Sequence, residues 1–559
     1  MGRMQSQMNQ HFDAIVVGSG AAGSFATREL TERGLRTLLL EAGPSVTPTD
    51  FKADPRGPRA VGIQLWDRAM ASLCGQPIQS RVTFFGRQTR HLFVNDREHP
   101  YSTPKDAPYL WLRGKQLGGR LHTYGRMLLR WSDYDFKAAS RDGFGIDWPI
   151  GYADLAPYYS RVESFLGIYG RSEQLESLPD GDFIGQAWLT GAEEHFKQAI
   201  QRKWPDRRAT TWRYMPPNAK RTPQPLLAAR KTGNLTLRTD AVVRRVMADD
   251  VSGRATGVEF IDRVTGKVEQ VHADVVVLSA SPIETVRLML NSTSKKHARG
   301  LGNSSGLLGR YFMDQMPNLI MGTVPGRAGW EADTTVESDP FYGVSGGVYV
   351  PRYENLELRS NTSFARGFAY QGTIGRAFTA SHRPAKFAFV GYGEMLPNPE
   401  NTIALNPLRK DRWGMPIPHI TCRMSGNEKA MLVEQMRSIR EMVEAAGMQV
   451  EFNGSVLTFE ETGAGAFPDD DPISRWFFRK NFKRSMAMGA AIHESGGARM
   501  GSDPSNSIVN MNNQCWDAPN VFVTDASCFA SGGCAGTTLT IMALSIRAGE
   551  YIANHRGTL

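Results

Sequence analysis

The feature that most constrains this chain is a glycine-rich turn between a short apolar run and a helix-like segment near the N-terminus. The apolar run AIVV ends at the sequence GSGAAG, residues 18–23, and a helix-like segment, residues 25–33, follows. A strand, a G-x-G-x-x-G turn and a helix in this order are typical of a βαβ unit that binds a dinucleotide. Gly18 permits the tight turn, Gly20 lets the backbone approach a pyrophosphate, and Gly23 lets the helix pack on the strand.

An acidic residue after the second apolar run supports the same interpretation. Residues 37–40 (TLLL) are followed by Glu41, close to the spacing of about 20 residues at which a carboxylate meets the ribose of the nucleotide. A carboxylate here disfavours the extra phosphate of NADP, so FAD and NAD stay open at this point. An ordinary structural turn is the alternative to nucleotide binding.

Composition excludes several other classes of protein. Of 559 residues, 41% are apolar and 22% are charged, which is the range of soluble globular proteins. The 65 Lys and Arg exceed the 56 Asp and Glu, which gives a net charge of +9. The basic residues are scattered, however, and do not form the basic and aromatic groove that single-stranded nucleic acid needs. We therefore expect no nucleic-acid partner.

Cysteine content and apolar runs bear on metal binding and location. The five cysteines are few and odd in number, which argues against a disulfide scaffold, and their spacing lacks the pattern of a zinc or iron–sulfur site. We expect no bound metal. Residues 1–10 lack the apolar run of a secretory signal, and no stretch of about 18 apolar residues indicates a membrane span. By its own sequence the chain is expected to be soluble and cytoplasmic, with no direct membrane span.

Further segments decide between the cofactors. They are residues 113–119 (RGKQLGG) with Gly125, the apolar run and helix-like segment at residues 275–290, residues 493–501 (HESGGARMG), and residues 520–527 (NVFVTDAS). Together with the N-terminal turn, they resemble the glucose–methanol–choline (GMC) oxidoreductases, flavoenzymes that oxidise alcohols and sugars. The resemblance runs in the same order from residue 12 to about residue 555.

The resemblance implies that the cofactor is FAD. Val242 would meet the adenine, and Asp525 would close over the pyrophosphate and ribityl chain. The glycine-rich loop at residues 531–536 would bring the N-terminus of a helix, from Thr538 to about Ala553, to the flavin pyrimidine ring. The turn and the resemblance together predict these cofactor-binding residues: Gly18, Gly20, Ala21, Ala22, Gly23, Glu41, Ala42, Arg113, Gly118, Gly119, His122, Gly125, Val242, Ala280, Asp525, Ala526, Thr537 and Thr538.

His493 is the expected catalytic base. Flavin N5 accepts the hydride in this family, and an imidazole has a pKa suited to removing the hydroxyl proton near neutral pH. Relatives usually carry a second histidine or asparagine after the glycine-rich loop, whereas this chain has Thr537 at the matching position. Thr537, another segment or a different proton path must take that role. Some relatives attach the flavin through a histidine near the position of His122, which is expected either to carry the flavin or to pack near its ring.

Within the family, the chain resembles bacterial sugar dehydrogenases of the gluconate 2-dehydrogenase and glucoside 3-dehydrogenase type through residues 398–401 (NPEN) and 411–418 (DRWGMPIP). This implies oxidation of a sugar or glycoside ring hydroxyl to a ketone, with C3 as a candidate carbon. Electrons would pass to a quinone, a haem protein such as a cytochrome, or another acceptor. A small export or assembly subunit is also implied, and co-export with it would make the location periplasmic. Open alternatives are an oxygen-using oxidase, a flavin-containing lyase with no net redox change, and a non-catalytic flavin-binding subunit.

The expected fold is α/β, with a Rossmann-like FAD-binding domain interleaved with an α+β substrate domain built on an antiparallel sheet. We assign residues 10–45, 110–150, 232–315 and 485–559 to the FAD-binding domain, residues 151–231 and 316–484 to the substrate-binding domain, and residues 46–109 to a lid or interface arm. Apolar and aromatic alternation at residues 387–392 indicates a strand of the antiparallel sheet. Residues 234–243 are expected to form one further strand.

Overall fold

The computed structural model describes residues 11–52, 65–82, 85–218, 220–331, 339, 341, 345–357, 362–377, 379, 381–462 and 472–559. The strands are β1 Phe12–Val17, β2 Thr37–Leu40, β3 Ile168–Gly170, β4 Phe183–Gln186, β5 Thr210–Thr211, β6 Leu235–Arg238, β7 Ala241–Ala248, β8 Ala255–Asp262, β9 Val268–Leu278, β10 Gln315–Ala328, β11 Val348–Val350, β12 Phe368–Ile374, β13 Pro384–Glu394, β14 Thr402–Lys410, β15 Pro416–Thr421, β16 Gln449–Ser455, β17 Phe459–Glu461 and β18 Val521–Val523. The α-helices are α1 Ala21–Glu32, α2 Leu65–Leu73, α3 Asp133–Phe136, α4 Ala138–Asp142, α5 Tyr152–Leu166, α6 Gly191–Lys203, α7 Gln224–Lys231, α8 Pro282–Asn291, α9 Gly426–Ala445, α10 Pro472–Ser485 and α11 Thr538–Asn554. Residues 1–10, on which the expectation about a secretory signal rests, lie outside the described residues.

The first sheet has the order β6-β2-β1-β9-β8-β7, with β18 also beside β9. Its centre is parallel, whereas β7 and β8 are joined to β9 as an antiparallel meander. Every residue of β1 is buried, as expected for a central parallel strand with both faces covered. α1, α7 and α11 cover one face through an apolar cluster that includes Val16, Leu30, Leu226 and Ile552. The carboxyl ends of the parallel strands therefore meet at one edge, where sheets of this kind bind ligands.

The second sheet is antiparallel, in the order β17-β16-β10-β13-β12-β11-β5. Side chains alternate between its two faces, so that Phe389 of β13 is buried while Val390 and Tyr392 are half-buried. α9 covers the face that carries Phe389, because a Cβ added at Gly391 would lie 2.5 Å from the amide nitrogen of Gln435. The opposite face, with Val390 and Tyr392, shares a cavity with the first sheet.

Most predicted elements agree with the structure, and two differ. The strands at residues 37–40 and 521–523 have the bounds that the sequence indicated. The helix expected at residues 25–33 begins earlier, at Ala21, because Gly20 turns the chain directly from the strand into the helix. Residues 234–243 are not one strand: Asp240 has a φ of +57°, which separates β6 from β7.

The predicted α/β class, with a Rossmann-like sheet and a separate antiparallel sheet, is confirmed. The strands of the first sheet fall within residues 12–40, 235–278 and 521–523, and those of the second within residues 210–211 and 315–461. The domain limits themselves stay a proposal, as does the assignment of residues 46–109 as a lid or arm. Among the described helices, none combines the length and apolar character needed to cross a bilayer.

Candidate active site

A cavity of about 840 Å³ lies between the two sheets. It is bounded by the carboxyl ends of β1 and β9, the start of α1, strand β7, the uncovered face of the second sheet and the start of α11. Its volume lies in the upper part of the range of ligand pockets, about 300–1,000 Å³. Of the residues predicted from the sequence, those that line it are Gly18, Gly20, Ala21, Ala22, Glu41, Ala42, Arg113, Gly119, Gly125, Val242, Ala280, His493, Asp525, Ala526, Thr537 and Thr538. Gly23, Gly118 and His122 do not line it.

The three glycines of the N-terminal turn have different surroundings. Gly18 has a φ of +96°, and a Cβ there would lie 2.5 Å from the carbonyl oxygen of Ser279. A Cβ at Gly23 would lie 1.8 Å from the carbonyl oxygen of Gly18, so the helix could not approach the strand. A Cβ at Gly20 would meet no atom within 4 Å, because it would enter the cavity at the start of α1. Open space at Gly20, beside the free N–H groups of a helix N-terminus, fits a pyrophosphate.

Ser19 connects the N-terminal glycine turn to Glu41 and to Gly118. The Glu41 carboxylate accepts hydrogen bonds from Ser19 N, at 3.0 Å, and Gly43 N, at 3.1 Å, as well as from Ser19 Oγ. Burial raises the pKa of Glu41 despite these bonds. Gly118 N in turn donates to Ser19 Oγ at 2.9 Å. The carboxylate is therefore held at the cavity wall, with spare acceptor capacity for a ribose hydroxyl.

The sequence predicted that both Gly118 and Gly119 contact the cofactor, but the two glycines have different surroundings in the structure. Gly118 has a φ of +89°, and a Cβ there would lie 2.6 Å from Nε2 of His122, so its glycine serves local packing. Only Gly119 lines the cavity, where its nearest neighbour for a Cβ is Cα of Gly20 at 3.6 Å. One glycine of the pair, not both, leaves the backbone open to a bound ring system.

His122 lies outside the main cavity. Its Nε2 is 2.7 Å from the carbonyl oxygen of Leu117, and its ring packs 5.0 Å from the ring of Phe51. It borders a separate space of about 50 Å³, which is far smaller than a flavin. Burial lowers the pKa of His122 to about 4, so the ring is neutral. The structure therefore does not bring this residue to the position expected of a flavin attachment site.

Asp525 is anchored at the wall of the cavity. Its carboxylate accepts hydrogen bonds from Ser527 N, at 2.9 Å, and from the hydroxyls of Ser527 and Thr285. Ala280 N donates to the same Thr285 hydroxyl at 3.1 Å. These bonds join the ends of β9 and β18, where Ala280 and Ala526 also line the cavity.

The N-terminus of α11 opens onto the cavity. Thr537 is the N-cap, makes no side-chain capping hydrogen bond, and lines the cavity with Thr538. The free N–H groups and the positive dipole end of this 17-residue helix therefore lie at the site. In the preceding loop, Gly533 has a φ of +58°, and a Cβ there would lie 2.8 Å from the ring of Trp131. This glycine shapes the loop and does not itself border the cavity.

Arg113 has a mainly structural setting although it borders the cavity. Its guanidinium lies 3.7 Å from the ring centre of Trp111 and donates to the carbonyl oxygens of Trp111 and His99.

Val242 lines the cavity on β7 between Ala241 and Val243.

The imidazole of His493 is held in one tautomer by Gln315. Its Nδ1 lies 2.6 Å from Oε1 of Gln315. The amide nitrogen of Gln315 donates to the carbonyl oxygens of Gly533, at 2.8 Å, and Ala535, at 3.1 Å, which fixes the amide with its oxygen towards His493. Nδ1 of His493 must therefore carry the proton, and Nε2 keeps a lone pair. That lone pair has no hydrogen-bond donor among the described residues and is available to a ligand in the cavity.

The surroundings of His493 keep it neutral. Burial lowers its pKa to about 4, and the positive charge of Arg120 acts in the same direction. Arg120 forms an ion pair with Glu494 at 2.8 Å and donates to Ser281 Oγ at 3.0 Å. Asp314 fixes the backbone of His493 by accepting from its N–H at 3.1 Å. At neutral pH the side chain is therefore an oriented, unprotonated base.

Tyr392 lies over His493 from the second sheet. The two ring centres are 5.0 Å apart, and Nε2 of Gln371 donates to the Tyr392 hydroxyl at 3.1 Å. Burial raises the pKa of Tyr392, so the phenol keeps its proton. Because its oxygen already accepts from Gln371, the O–H is free to donate to a ligand; no acceptor for it lies among the residues that the structure describes. Tyr392 and Gln371 both line the cavity.

Sequence reasoning missed Gln315, Tyr392, Gln371 and the pair of Arg120 with Glu494. Gln315 opens strand β10 and Tyr392 belongs to β13, so their only signal was membership of strands. Glu494 lies directly after His493, but nothing local indicates that Arg120 pairs with it.

Comparison with known proteins was informative over almost the whole chain. Residues 12–316 and 397–545 match the N-terminal and C-terminal family models of the GMC oxidoreductases. The chain is 29% identical to a 2-methyl-1,2-propanediol dehydrogenase of Mycolicibacterium austroafricanum, over 97% of this chain and 95% of that protein. It is 23% identical to a fructose dehydrogenase large subunit of Gluconobacter japonicus, over 97% and 98% of the two chains. The structure resembles a formate oxidase of Aspergillus oryzae, with a TM-score of 0.64 and 15% identity over 98% of this chain and 99% of the other.

Proposed function

Since the chain belongs to the GMC oxidoreductase family, we propose that it oxidises a ring hydroxyl of a sugar or glycoside to a ketone, with C3 as the first candidate carbon. The predictions of an FAD cofactor and of an oxidoreductase acting on alcohol groups are confirmed by this membership. The observation that carries the proposal is the neutral imidazole of His493, which keeps Nε2 unprotonated and lines the same cavity as the glycine turn and Glu41.

The residues of this cavity fit FAD. Gly20 and Gly119 leave open space along the cavity wall, and the N-termini of α1 and α11 present free N–H groups at two points. Glu41 would hold the ribose, and Val242 would lie at the adenine. When bound, FAD supplies the acceptor for the hydride of the alcohol carbon.

His493 is proposed to accept the proton of the substrate hydroxyl at Nε2. Gln315 holds Nδ1–H and so keeps Nε2 unprotonated in a ring that lines the cavity. Because the pKa of His493 is about 4, its imidazole is unprotonated and available as a base at neutral pH. Transfer of the hydroxyl proton to a base with so low a pKa must be driven by loss of hydride from the carbon that carries the hydroxyl.

Tyr392 is proposed as the second group on the substrate oxygen. The family position for this group is Thr537, which lines the same cavity. We favour Tyr392 over Thr537, because Gln371 donates to the Tyr392 oxygen and so leaves the phenol O–H to donate to the substrate oxygen. A neutral phenol that donates to the oxygen would favour the developing negative charge as the proton leaves for His493.

The electron acceptor is proposed to be a quinone, a haem protein such as a cytochrome, or another acceptor. One relative is named as a large subunit, which supports a proposal that a small partner subunit assembles with this chain. Such a partner would be the route to a periplasmic location.

The test is an anaerobic panel of sugars, glycosides and simple alcohols, with loss of the yellow flavin absorbance as the readout and NMR of the product to identify the oxidised carbon. We expect at least one sugar or glycoside to bleach the flavin. Subsequent addition of a quinone, cytochrome c or oxygen identifies the acceptor by return of the colour. Failure of every sugar to bleach the flavin would refute the proposal, and turnover without any flavin change would indicate the lyase alternative.

A further inference from the structure

The face of the second sheet that borders the cavity changes in polarity along β10. This strand begins at Gln315, which holds His493, and residues on the same face follow at every second position. These are Pro317, Leu319 and Met321, all of which line the cavity. At about 3.4 Å per residue, Met321 lies roughly 14 Å beyond Pro317 along the strand. Distance from the catalytic base therefore increases along a row of apolar side chains.

Strand register shows where the polar groups of this face lie. Pro317 is paired with Tyr392, and Leu319 is paired with Val390, which is in turn paired with Gln371. Tyr392 therefore lies beside Pro317 at the end of the sheet near His493, and Gln371 lies level with Leu319 and Val390 on β12, two strands away from β10. Beyond them, the cavity-facing residues of β10 carry no hydrogen-bonding side chain.

α10 continues the apolar surface. We call the following set the apolar strip: Pro317, Leu319, Met321, Val390, Phe478 and Phe482, all of which line the cavity. Phe482 packs at 4.8 Å from Phe459, which fixes it in an aromatic cluster under the helix. The neighbouring hydroxyl of Ser485 donates to the carbonyl oxygen of Asn481 at 3.2 Å and is satisfied within the helix.

We infer that the apolar strip is a subsite for an alkyl or aryl group of the substrate. The substrate would be an amphipathic glycoside, with its sugar ring at His493 and Tyr392 and its apolar aglycone along β10. This inference rests on the proposed function. A free sugar placed on the strip would lose water from its hydroxyls without gaining partners, which costs free energy. An apolar aglycone would gain free energy from the same contact.

The first test is a chain-length series on the holoenzyme. Methyl, butyl and hexyl glycosides of the ring that reduces the flavin fastest are compared under anaerobic conditions. Each fully buried methylene adds roughly fourfold to affinity, so with partial burial we expect the half-saturating concentration to fall at least about tenfold from methyl to hexyl. The limiting reduction rate should change much less, because the reacting carbon is the same. A half-saturating concentration that is independent of chain length overturns the inference.

The second test uses variants of two half-buried strip residues. Val390→Thr and Met321→Gln preserve size but place a polar group on the strip. We expect each to lower the affinity for the hexyl glycoside at least about threefold more than the affinity for the methyl glycoside. The matched controls are Val433→Thr and Met511→Gln, at exposed positions, which should leave both substrates unaffected. Equal effects on both substrates would point to general disturbance of the fold and overturn the role of the strip.

Failure of the inference can be told from failure of the proposed function. Isothermal titration of the reduced enzyme, which cannot turn over, measures binding of hexyl and methyl glycosides directly. If neither glycoside bleaches the oxidised flavin but hexan-1-ol does, the proposed sugar specificity is wrong and the apolar strip is supported. If glycosides bleach the flavin and titration shows equal affinity for hexyl and methyl, the proposed function stands and the inference is wrong.

Discussion

The proposed chemistry depends on one ring nitrogen, Nε2 of His493. Replacing this residue, as in His493→Ala, removes the base, and we expect the limiting rate of flavin reduction to fall about 10²- to 10⁴-fold. The protein should stay yellow, because the predicted nucleotide contacts lie elsewhere in the cavity. The control is His382→Ala, at an exposed histidine in the turn that precedes β13. Unchanged reduction kinetics in His493→Ala would refute the assigned role.

The charge of Arg120 should contribute to the pH dependence of that step. The base works when neutral, so the reduction rate is lost as pH falls through the pKa of His493, about 4. Burial is the main cause of this low value and Arg120 the second. Arg120→Gln removes the cation and leaves Glu494 unpaired, so the pKa rises and the acid limb of the pH profile moves to higher pH.

The conservative variant tests whether this effect is electrostatic. Arg120→Lys keeps the charge and should keep the acid limb close to that of the unmodified enzyme. Because an ion pair with a buried carboxylate is lost in Arg120→Gln, its thermal unfolding must be measured alongside the pH profile. An acid limb that does not move in a folded Arg120→Gln variant would contradict the electrostatic account.

Tyr392 should contribute through its hydroxyl alone. Tyr392→Phe keeps the ring over His493 but removes the donor, and the reduction rate should fall roughly 10- to 100-fold, as for a hydrogen bond to a group that becomes charged. Thr537→Val tests the competing family position in the same assay. Tyr158→Phe, on the partly exposed side of α5, is the matched control. If Thr537→Val is slow and Tyr392→Phe is not, the second group is Thr537.

At the level of elements, a substitution just before α1 should change FAD binding without changing the stability of the fold. Gly20 has a φ of −68°, which alanine adopts without strain, and a Cβ there would meet only open cavity. Gly20→Ala should therefore leave the unfolding temperature of the apoprotein unchanged while lowering its FAD affinity at least about tenfold, because the Cβ would occupy the space of the pyrophosphate. Flavin content after purification and titration of apoprotein with FAD are the measurements.

Gly426→Ala is the matched control for this change. Gly426 is the first residue of α9, as Gly20 is the residue just before α1, and a Cβ there would likewise meet no atom within 4 Å. That variant should bind FAD normally. Full flavin occupancy in Gly20→Ala would mean that the pyrophosphate lies elsewhere.

For the whole molecule, FAD should act as a bridge between separate parts of the chain. Its proposed contacts come from α1, β7 and α11, which lie far apart in sequence. A ligand that binds only the folded state stabilises it by about 2.7 kcal/mol at a hundredfold excess over its dissociation constant. The apoprotein should therefore unfold at a lower temperature than the holoenzyme, by differential scanning calorimetry, and added FAD should restore the difference. Equal unfolding temperatures would contradict this account.

The N-terminal half of the site could be predicted because its requirements are local. Gly18, Gly20 and Gly23 are close neighbours: at Gly18 and Gly23 the backbone admits only glycine, and at Gly20 the missing side chain leaves open space in the cavity. Adjacent residues carry such conditions directly, so the βαβ unit, the α/β class and the cofactor class could be predicted from order and spacing. His493 was found for a related reason, since it opens a contiguous motif.

The partners of His493 could not be predicted, because they depend on how the two sheets meet. Gln315 lies 178 residues away in the chain, and its amide is oriented by a loop 218 to 220 residues further on. Tyr392 reaches the same ring only because the alternation of β13 places it on the uncovered face. The position of His122 depends likewise on the left-handed turn at Gly118, which directs its ring away from the cavity.

The sequence by itself therefore determined the fold class and a dinucleotide cofactor, since both depend on residues close together in the chain, while the family resemblance of its motifs pointed to FAD and to His493. Only the tertiary structure decided the tautomer of His493, the placement of Tyr392 beside its ring, and the apolar side chains of β10 and α10 that line the same cavity. Those properties arise where β10, β13 and α10 face the first sheet across one cavity. The alternation of side chains along a strand is the same whichever face of the sheet borders the cavity, so the sequence pattern alone does not predict these contacts.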